Sequence, residues 1–311
     1  MCQVAVVTTG FFDGVHLGHR HVLSAVVSAA RERGEEAVVV TFWPHPRTVL
    51  QQDARDFRLL TTLEEKRELL LAAGIDRVEV LPFTREFAAL TALEYLDLLR
   101  ERFGASLVVM GYDNRIGCDR KIVTEIEDYC SRNPSSLRSS SLPTTLRAVG
   151  PLPFMWPRAA TGSGEQQSSI SSTKIRNALM VGDIASANAM LGYKYGLYGV
   201  VVAGNRQGRT MGFPTANLQL YEPLKLVPGN GVYAVEVEVL GQQYKGMCNI
   251  GTRPTVGGTT RTIETHILDF DQDIYGLPLR LRFVRRLRDE RKFPSLDALR
   301  TQLQTDRESC R

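Results

Sequence analysis

Val4-Ala5-Val6-Val7-Thr8-Thr9-Gly10-Phe11-Phe12-Asp13-Gly14-Val15-His16-Leu17-Gly18-His19 begins as a short apolar run, passes through glycines, and enters residues 17–34 (LGHRHVLSAVVSAARERG), whose apolar positions recur at helical spacing. Outward from this stretch the alternation continues: AVVVTF (37–42), TLEEKRELLLAAG (62–74), RVEVL (77–81), TALEYLDLLRERFG (91–104) and SLVVMG (106–111). Strand and helix in strict turn predict an α/β domain with a parallel, doubly wound sheet. Thr62 with Glu65 and Thr91 with Glu94 have capping-box spacing, so those two helix starts are expected at these threonines.

In open α/β sheets ligands bind beyond the carboxyl ends of strands, and a helix N-terminus attracts phosphate through its free N–H groups. Gly10, Phe12, Asp13 and Gly18 occupy that position, and the glycines let backbone and ligand approach closely. His16 and His19 share one face of the first helical turn, where they can donate hydrogen bonds to phosphates as charge builds at the α-phosphorus. An HxxH pair alone equally describes a zinc pair or two surface histidines; its setting after a strand and among glycines points to a nucleotide.

After Tyr195 the period changes. GVYAVEVEVLG (231–241), QYKGMCNIG (243–251), TIETHILDF (262–270) and LRLRFV (279–284) alternate every second residue between turn residues, which predicts a small antiparallel β-barrel. Ser295 to Asp306 returns to helical spacing, with Leu296, Leu299 and Leu303 on one face behind a Ser295 cap. Gly204, Gly208, Arg209 and Gly212 form a basic glycine-rich loop able to cradle phosphates, followed by Pro214-Thr215-Ala216-Asn217. Thr215 and Asn217, two apart on an extended segment, are candidates to share a cation. Arg280, Arg282, Arg285, Arg286 and Arg288 alternate as a solvated strand face would.

These residues carry a resemblance. GFFDGVHLGH resembles the HxGH nucleotidyltransferase superfamily, and with the C-terminal half it is similar to the bacterial bifunctional riboflavin kinase/FMN adenylyltransferase family. The match continues through Thr41-Phe42-Trp43-Pro44-His45-Pro46, Met110-Gly111-Tyr112-Asp113-Asn114-Arg115 and Ile170-Ser171-Ser172-Thr173-Lys174-Ile175-Arg176. In the C-terminal half it runs through Thr215-Ala216-Asn217, Gly231-Val232-Tyr233, Asn249-Ile250-Gly251-Thr252-Arg253-Pro254-Thr255 and Glu264-Thr265-His266-Ile267-Leu268-Asp269-Phe270. The resemblance implies a Rossmann-like adenylyltransferase domain over 1–190 and a riboflavin kinase barrel over 191–311.

It further implies ATP, riboflavin and FMN as substrates with Mg²⁺. FMN's phosphate attacks the α-phosphorus of ATP and pyrophosphate leaves, with Mg²⁺ sharing the phosphate charge and His16, His19, Asp13 and Arg176 at the site. Ser171, Ser172, Thr173 and Arg176 are implied to grip the β- and γ-phosphates, although Ser171 and its neighbours also read as an ordinary helix cap. In the kinase, Glu264 is implied to be the general base for the ribityl 5′-hydroxyl, whereas a lone strand glutamate ordinarily reads as a solvated edge charge. Asp113, Asn249 and Arg253 are implied binding residues, and His266 receives no role.

Residues 122–169 depart from the family. They are rich in serine, proline and arginine without apolar period, and read as loop rather than strand; Ile116 stands where the family usually has an aromatic. A strand missing there would weaken the sheet under the ATP site, so impaired adenylylation with surviving kinase activity is the expected alternative to full bifunctionality. A non-catalytic flavin- or nucleotide-binding regulator is the third reading.

The totals limit the rest. The net charge of +4 comes largely from residues 131–169, with four Arg against one Glu, so no nucleic-acid partner is expected. Five scattered cysteines without a CxxC pair fit neither a disulfide framework nor a structural zinc site, and point to a reducing compartment. No apolar run has the length of a membrane span and no basic leader pattern opens the sequence, so a soluble cytoplasmic chain without membrane partner is expected. The sequence sets no expectation of oligomeric state.

Overall fold

The Thr62 and Thr91 hydroxyls each accept a hydrogen bond from the amide three residues on, and the Glu65 and Glu94 carboxylates accept one from the threonine amide, so both capping boxes close. These caps start helices α3 (Leu63–Ala72) and α5 (Ala92–Phe103), and α5 stops where Gly104 turns left-handed at φ 69°. The computed structural model describes residues 4–51, 57–111, 115–122, 125–126, 145–149, 170–204, 212–255 and 258–310, without side chains for 122, 145–149 and 253–260.

The first compact unit, residues 1–57 and 61–171, is built on β1 (Ala5–Thr9), β2 (Glu36–Trp43), β3 (Arg77–Pro82), β4 (Ala105–Gly111) and β7 (Thr145–Val149). All pair in parallel, in the order β3-β2-β1-β4-β7. Alternate strand residues feed two cores: Val6 and Val39 pack with Leu23 and Val26 of α1 (Leu17–Arg33) and Leu70 of α3, while Val7 and Val40 pack with Tyr95, Leu96 and Leu99 of α5. The remaining elements are short: α2 (Pro46–Leu50), α4 (Arg85–Ala88) and the hairpin β5 (Arg115–Ile116) with β6 (Lys121–Ile122). Ile116 is buried in the α5-side core, which explains an aliphatic residue at that position.

The expectation that residues 122–169 hold no strand is corrected here. Thr145–Val149 extends the sheet as its fifth strand, pairing Leu107–Gly111 of β4 residue for residue. Five residues after a serine-rich stretch carry too little alternation to announce a strand, whereas β4 supplies a full row of backbone donors and acceptors that need partners.

The second unit, residues 58–60 and 172–311, holds α6 (Ser172–Val181), α7 (Ile184–Leu191) and six antiparallel strands. These are β8 (Gly196–Val202), β9 (Ala216–Leu220), β10 (Gly231–Val239), β11 (Gln242–Thr255), β12 (Gly258–Ile267) and β13 (Pro278–Arg288), closed as a barrel in the order β10-β11-β12-β9-β8-β13. Tyr233, Cys248, Thr265 and Phe283, all fully buried, fill its interior. The final helix α8 (Leu296–Ser309) is capped by Ser295 and sends Leu303 onto an outer patch of Phe213, Ala234, Met247 and Leu268; Leu296 is 73% exposed and takes no part.

Of the β13 arginines, Arg285 is exposed and the other four are half-buried, so the face meets solvent while several of its guanidinium groups also bind backbone. Arg286 donates to the carbonyls of Val181 and Asn230, Arg285 donates to that of Ser309, and Arg288 pairs with the buried carboxylate of Asp306 at 2.8 Å. Asp306 also accepts from Gln302 at 2.8 Å. Removing one member of a buried pair strands the other, so Asp306→Ala is expected to destabilise the barrel unit by about 3 kcal/mol, read as a lower urea midpoint of barrel unfolding.

Candidate active sites

The chain leaves β1 through an unusual backbone. Phe12 (φ 53°) and Val15 (φ 38°) lie in the left-handed region, which costs a β-branched residue of the order of 1–3 kcal/mol, and Gly14 joins them at φ 85°. Asp13 fastens this path: it is buried, and its carboxylate accepts from the Thr61 amide at 3.1 Å, while the Gly14 amide donates to the Thr61 hydroxyl at 3.1 Å. Gly10 and Gly18 are glycine for room, since a Cβ at either would come within 3.2 Å of the Phe12 or His16 ring.

His16 caps α1, its Nδ1 accepting from the His19 amide at 3.3 Å, which leaves the proton on Nε2. The two imidazoles stack with centroids 3.6 Å apart and planes 15° from parallel, and His19 meets the Phe12 ring edge-on at 5.3 Å. Burial, then the neighbouring His16 and Lys66, hold the His19 pKa well below the usual imidazole value. Its Nδ1 is buried without a hydrogen-bond partner. His19 is thus a neutral, desolvated imidazole beside His16, and among the described residues no group of three or more His, Cys, Asp or Glu is placed to hold a metal.

The Thr41–Pro46 stretch lines the same strand ends. The Thr41 hydroxyl donates to the Phe11 carbonyl at 3.2 Å, and the Phe11 ring packs on His45 at 4.1 Å. Sequence reading missed Lys66 of α3, which is fully buried and sets its ammonium 3.4 Å from the centre of the Phe11 ring. Nothing in the spacing of TLEEKRELLL separates this lysine from the solvent-facing charges of the same helix.

Of the second signature, Ser171 closes the first unit, while Ser172, Thr173 and Arg176 lie on α6 in the second, where the Arg176 Nε donates to the Arg58 carbonyl at 2.8 Å. Asp113 lies outside the described residues.

In the barrel, register assembles the second site. Asn217 of β9 stands directly opposite Glu264 of β12, and Glu264 stands opposite Asn249 of β11. Residues paired across strands share a face, so these three form one row across three strands. They alternate with the buried Ala216, Thr265 and Cys248, which places the row on the outer face of the barrel. Gly204 abuts Asn217, where a Cβ would collide with the carboxamide.

His266 Nδ1 donates to the Pro214 carbonyl at 2.8 Å, its ring edge-on to Phe213, and burial lowers its pKa. It therefore secures the segment entering Thr215-Ala216-Asn217. Beside it opens a cavity of about 390 Å³ lined by Thr215, Ala216, Ile267, Phe270, Ile274 and Tyr275, among others. Ile274 and Tyr275 escaped sequence reading because they follow the motif in an irregular loop. Gly212 turns left-handed at φ 80° ahead of this segment. Arg253 pairs with Thr260 by backbone, its side chain outside the described set; Gly208 and Arg209 lie outside it altogether.

Known proteins agree with both halves. Residues 191–311 match the riboflavin kinase family model and residues 2–137 the FAD synthetase family model. The bifunctional riboflavin kinase/FMN adenylyltransferase of Bacillus subtilis is 34% identical over 98% of this chain and 91% of its own length; that of Escherichia coli K12 is 36% identical over the same shares. A crystal structure described as a macrolide-efflux protein from Streptococcus pneumoniae superposes with a TM-score of 0.87 and 32% identity, covering 100% of this chain and 94% of that one. No helix among the described residues is long and apolar enough to cross a membrane. With two family models in order and relatives above 30% identity along nearly the whole length, the chain belongs to the bifunctional riboflavin kinase/FMN adenylyltransferase family.

Proposed function

We propose that the two sites divide the family's two reactions, the Asn217–Glu264–Asn249 row phosphorylating riboflavin and the His16–His19 loop adenylylating FMN. The chain is an enzyme of FMN and FAD biosynthesis with ATP and flavins as substrates. The observation that carries the division is the register that sets Glu264 opposite Asn217, because phosphoryl transfer needs a base and a phosphate-and-cation subsite side by side.

On the barrel, Glu264 accepts the proton of the ribityl 5′-hydroxyl as that oxygen attacks the γ-phosphorus of ATP, and ADP leaves. The Thr215 hydroxyl, the Asn217 carboxamide oxygen and the Glu264 carboxylate are all hard oxygen donors, few in number. That set fits Mg²⁺, which takes one or two protein ligands and completes its shell with water and phosphate oxygens. Thr215 and Asn217 would hold the ion, which when bound neutralises charge on the transferring phosphoryl group. The cavity walls of Ile267, Phe270, Ile274 and Tyr275 suit a flat aromatic ring, with Thr215 on the same wall to meet its phosphates.

At the β1 loop, FMN's phosphate oxygen attacks the α-phosphorus of ATP and pyrophosphate leaves with the bonding pair. His16 and His19 donate hydrogen bonds to the phosphate oxygens where negative charge grows, and the low dielectric around them strengthens each bond. The argument for impaired adenylylation rested on a missing strand, and β7 fills that place in the sheet. Cys118, Cys248 and Cys310 are free thiols, which supports the cytoplasm as the place of action.

Chromatography of riboflavin incubated with the protein, ATP and Mg²⁺ tests the division: FMN and then FAD should accumulate, and absence of FMN would sink it. Glu264→Ala is expected to cut riboflavin phosphorylation at least about 100-fold while FAD still forms from added FMN. His19→Ala is expected to lower FAD formation about 100- to 1000-fold with FMN formation unchanged, and equal loss of both products would refute separate sites.

A further inference from the structure

Lys66 is a buried cation that the two reactions above leave unused. Its side chain is fully enclosed, and its three donors find one hydrogen bond, a long 3.4 Å contact to the Thr41 hydroxyl. Instead it rests on aromatic faces, with Nζ 3.4 Å from the centre of Phe11 and 5.9 Å from that of Trp43. Asp13 supplies the opposite charge from the β1–α1 loop and His19, stacked on His16, faces it from α1; β2 brings only the uncharged Thr41 and Trp43, and on α3 itself Glu65 is turned back to its cap. Burying an ammonium so thinly satisfied opposes folding, and a methionine of similar length would fill the space without that penalty.

We propose that Lys66 is a positioning residue of the adenylyl-transfer site, its ammonium seating Phe11, and with it the left-handed loop from Phe11 to Val15, and supplying the fixed positive charge that an entering polyphosphate meets beneath that loop. The inference rests on the adenylyltransferase reading of His16 and His19. Three features of the site converge on this one side chain: the ring it carries lies in the loop, the carboxylate beside it fastens the loop to Thr61, and its charge adds to burial and His16 in holding the His19 pKa down. Lys66 touches no ligand directly in this arrangement: it acts through the loop it seats and through the field of its charge.

Burial lowers the Lys66 pKa to about 7, against the attraction of Asp13. The charge is then present in the free enzyme below pH 7 and lost above it, and kcat/KM reports the free enzyme. FAD formation from FMN by the full chain should therefore fall in kcat/KM for ATP on the alkaline side, towards the level of K66M. Because the unfolded chain keeps the proton up to pH 10.5 while the folded one releases it, wild-type stability should gain on K66M between pH 7 and pH 10.5.

The experiment compares wild type, K66M and K66R, with riboflavin phosphorylation by the same preparations as the internal control. K66M is expected to lose about tenfold or more in FAD formation, to keep its kinase step, and to melt at the wild-type temperature or higher at pH 7. K66R, with a permanent charge, is expected to abolish the alkaline fall, judged by its ratio of rates at pH 9 and pH 7. K66M that forms FAD at the wild-type rate, or that melts lower in step with its loss of activity, overturns the proposal. A wild-type chain that forms no FAD from FMN overturns the adenylyltransferase reading itself.

Discussion

The pairing between β9 and β12 consists of two residue pairs, Glu264 with Asn217 and Thr265 with Ala216, and the kinase site hangs on it. Side chains alternate across a strand, so a slip of one residue would send Asn217 inward and leave Glu264 alone outside. Two pairs make a short ladder. The His266–Pro214 hydrogen bond prolongs it by one step through a side chain, and the Phe213–His266 contact covers that step on the outside. The barrel then propagates the register around the ring, since closure leaves no strand free to slide.

The first unit solves a different problem with the same economy. A parallel sheet delivers its strand ends to one edge, and the chain leaving β1 has to turn there without blocking the ligand. The turn runs through left-handed backbone at Phe12, Gly14 and Val15, and it persists because Asp13, Thr61 and the aromatic contacts of Phe11 over-determine it. Strain, buried charge and an unpartnered imidazole nitrogen gather within ten residues, whereas the surrounding helices are capped and packed as their sequences demand. Such local departures from stable practice are where a fold carries its chemistry.

Much of this was legible in the sequence. The capping boxes at Thr62 and Thr91 and the Ser295 cap are local signals whose partners lie within four residues, and the change of period near Tyr195 is written along each strand by its own alternation. What was not legible depends on distant partners. Arg286 reads like any strand arginine until Val181 and Asn230 present their carbonyls, and Lys66 reads like the polar face of its helix until Phe11 covers it. Thr145–Val149 is a strand only because β4 offers an edge, and Ser172–Val181 belongs with the barrel although its motif resembles part of the nucleotidyltransferase signature.

That fifth strand also bears on the order of events during synthesis. β4 runs Ala105 to Gly111 with every residue buried, and it stays an open edge until Thr145–Val149 has been made. For the interval in which more than thirty residues are added, the growing chain presents a short, uncharged, β-prone strand with unpaired amides. The opposite edge, β3, is guarded by Arg77 and Glu79 and ends at Pro82, and the later barrel has no edge at all. Among the described residues, β4 is therefore open to mispairing during one stretch of translation, before the kinase half exists, and β7 takes over as the sheet's outer strand once it has paired.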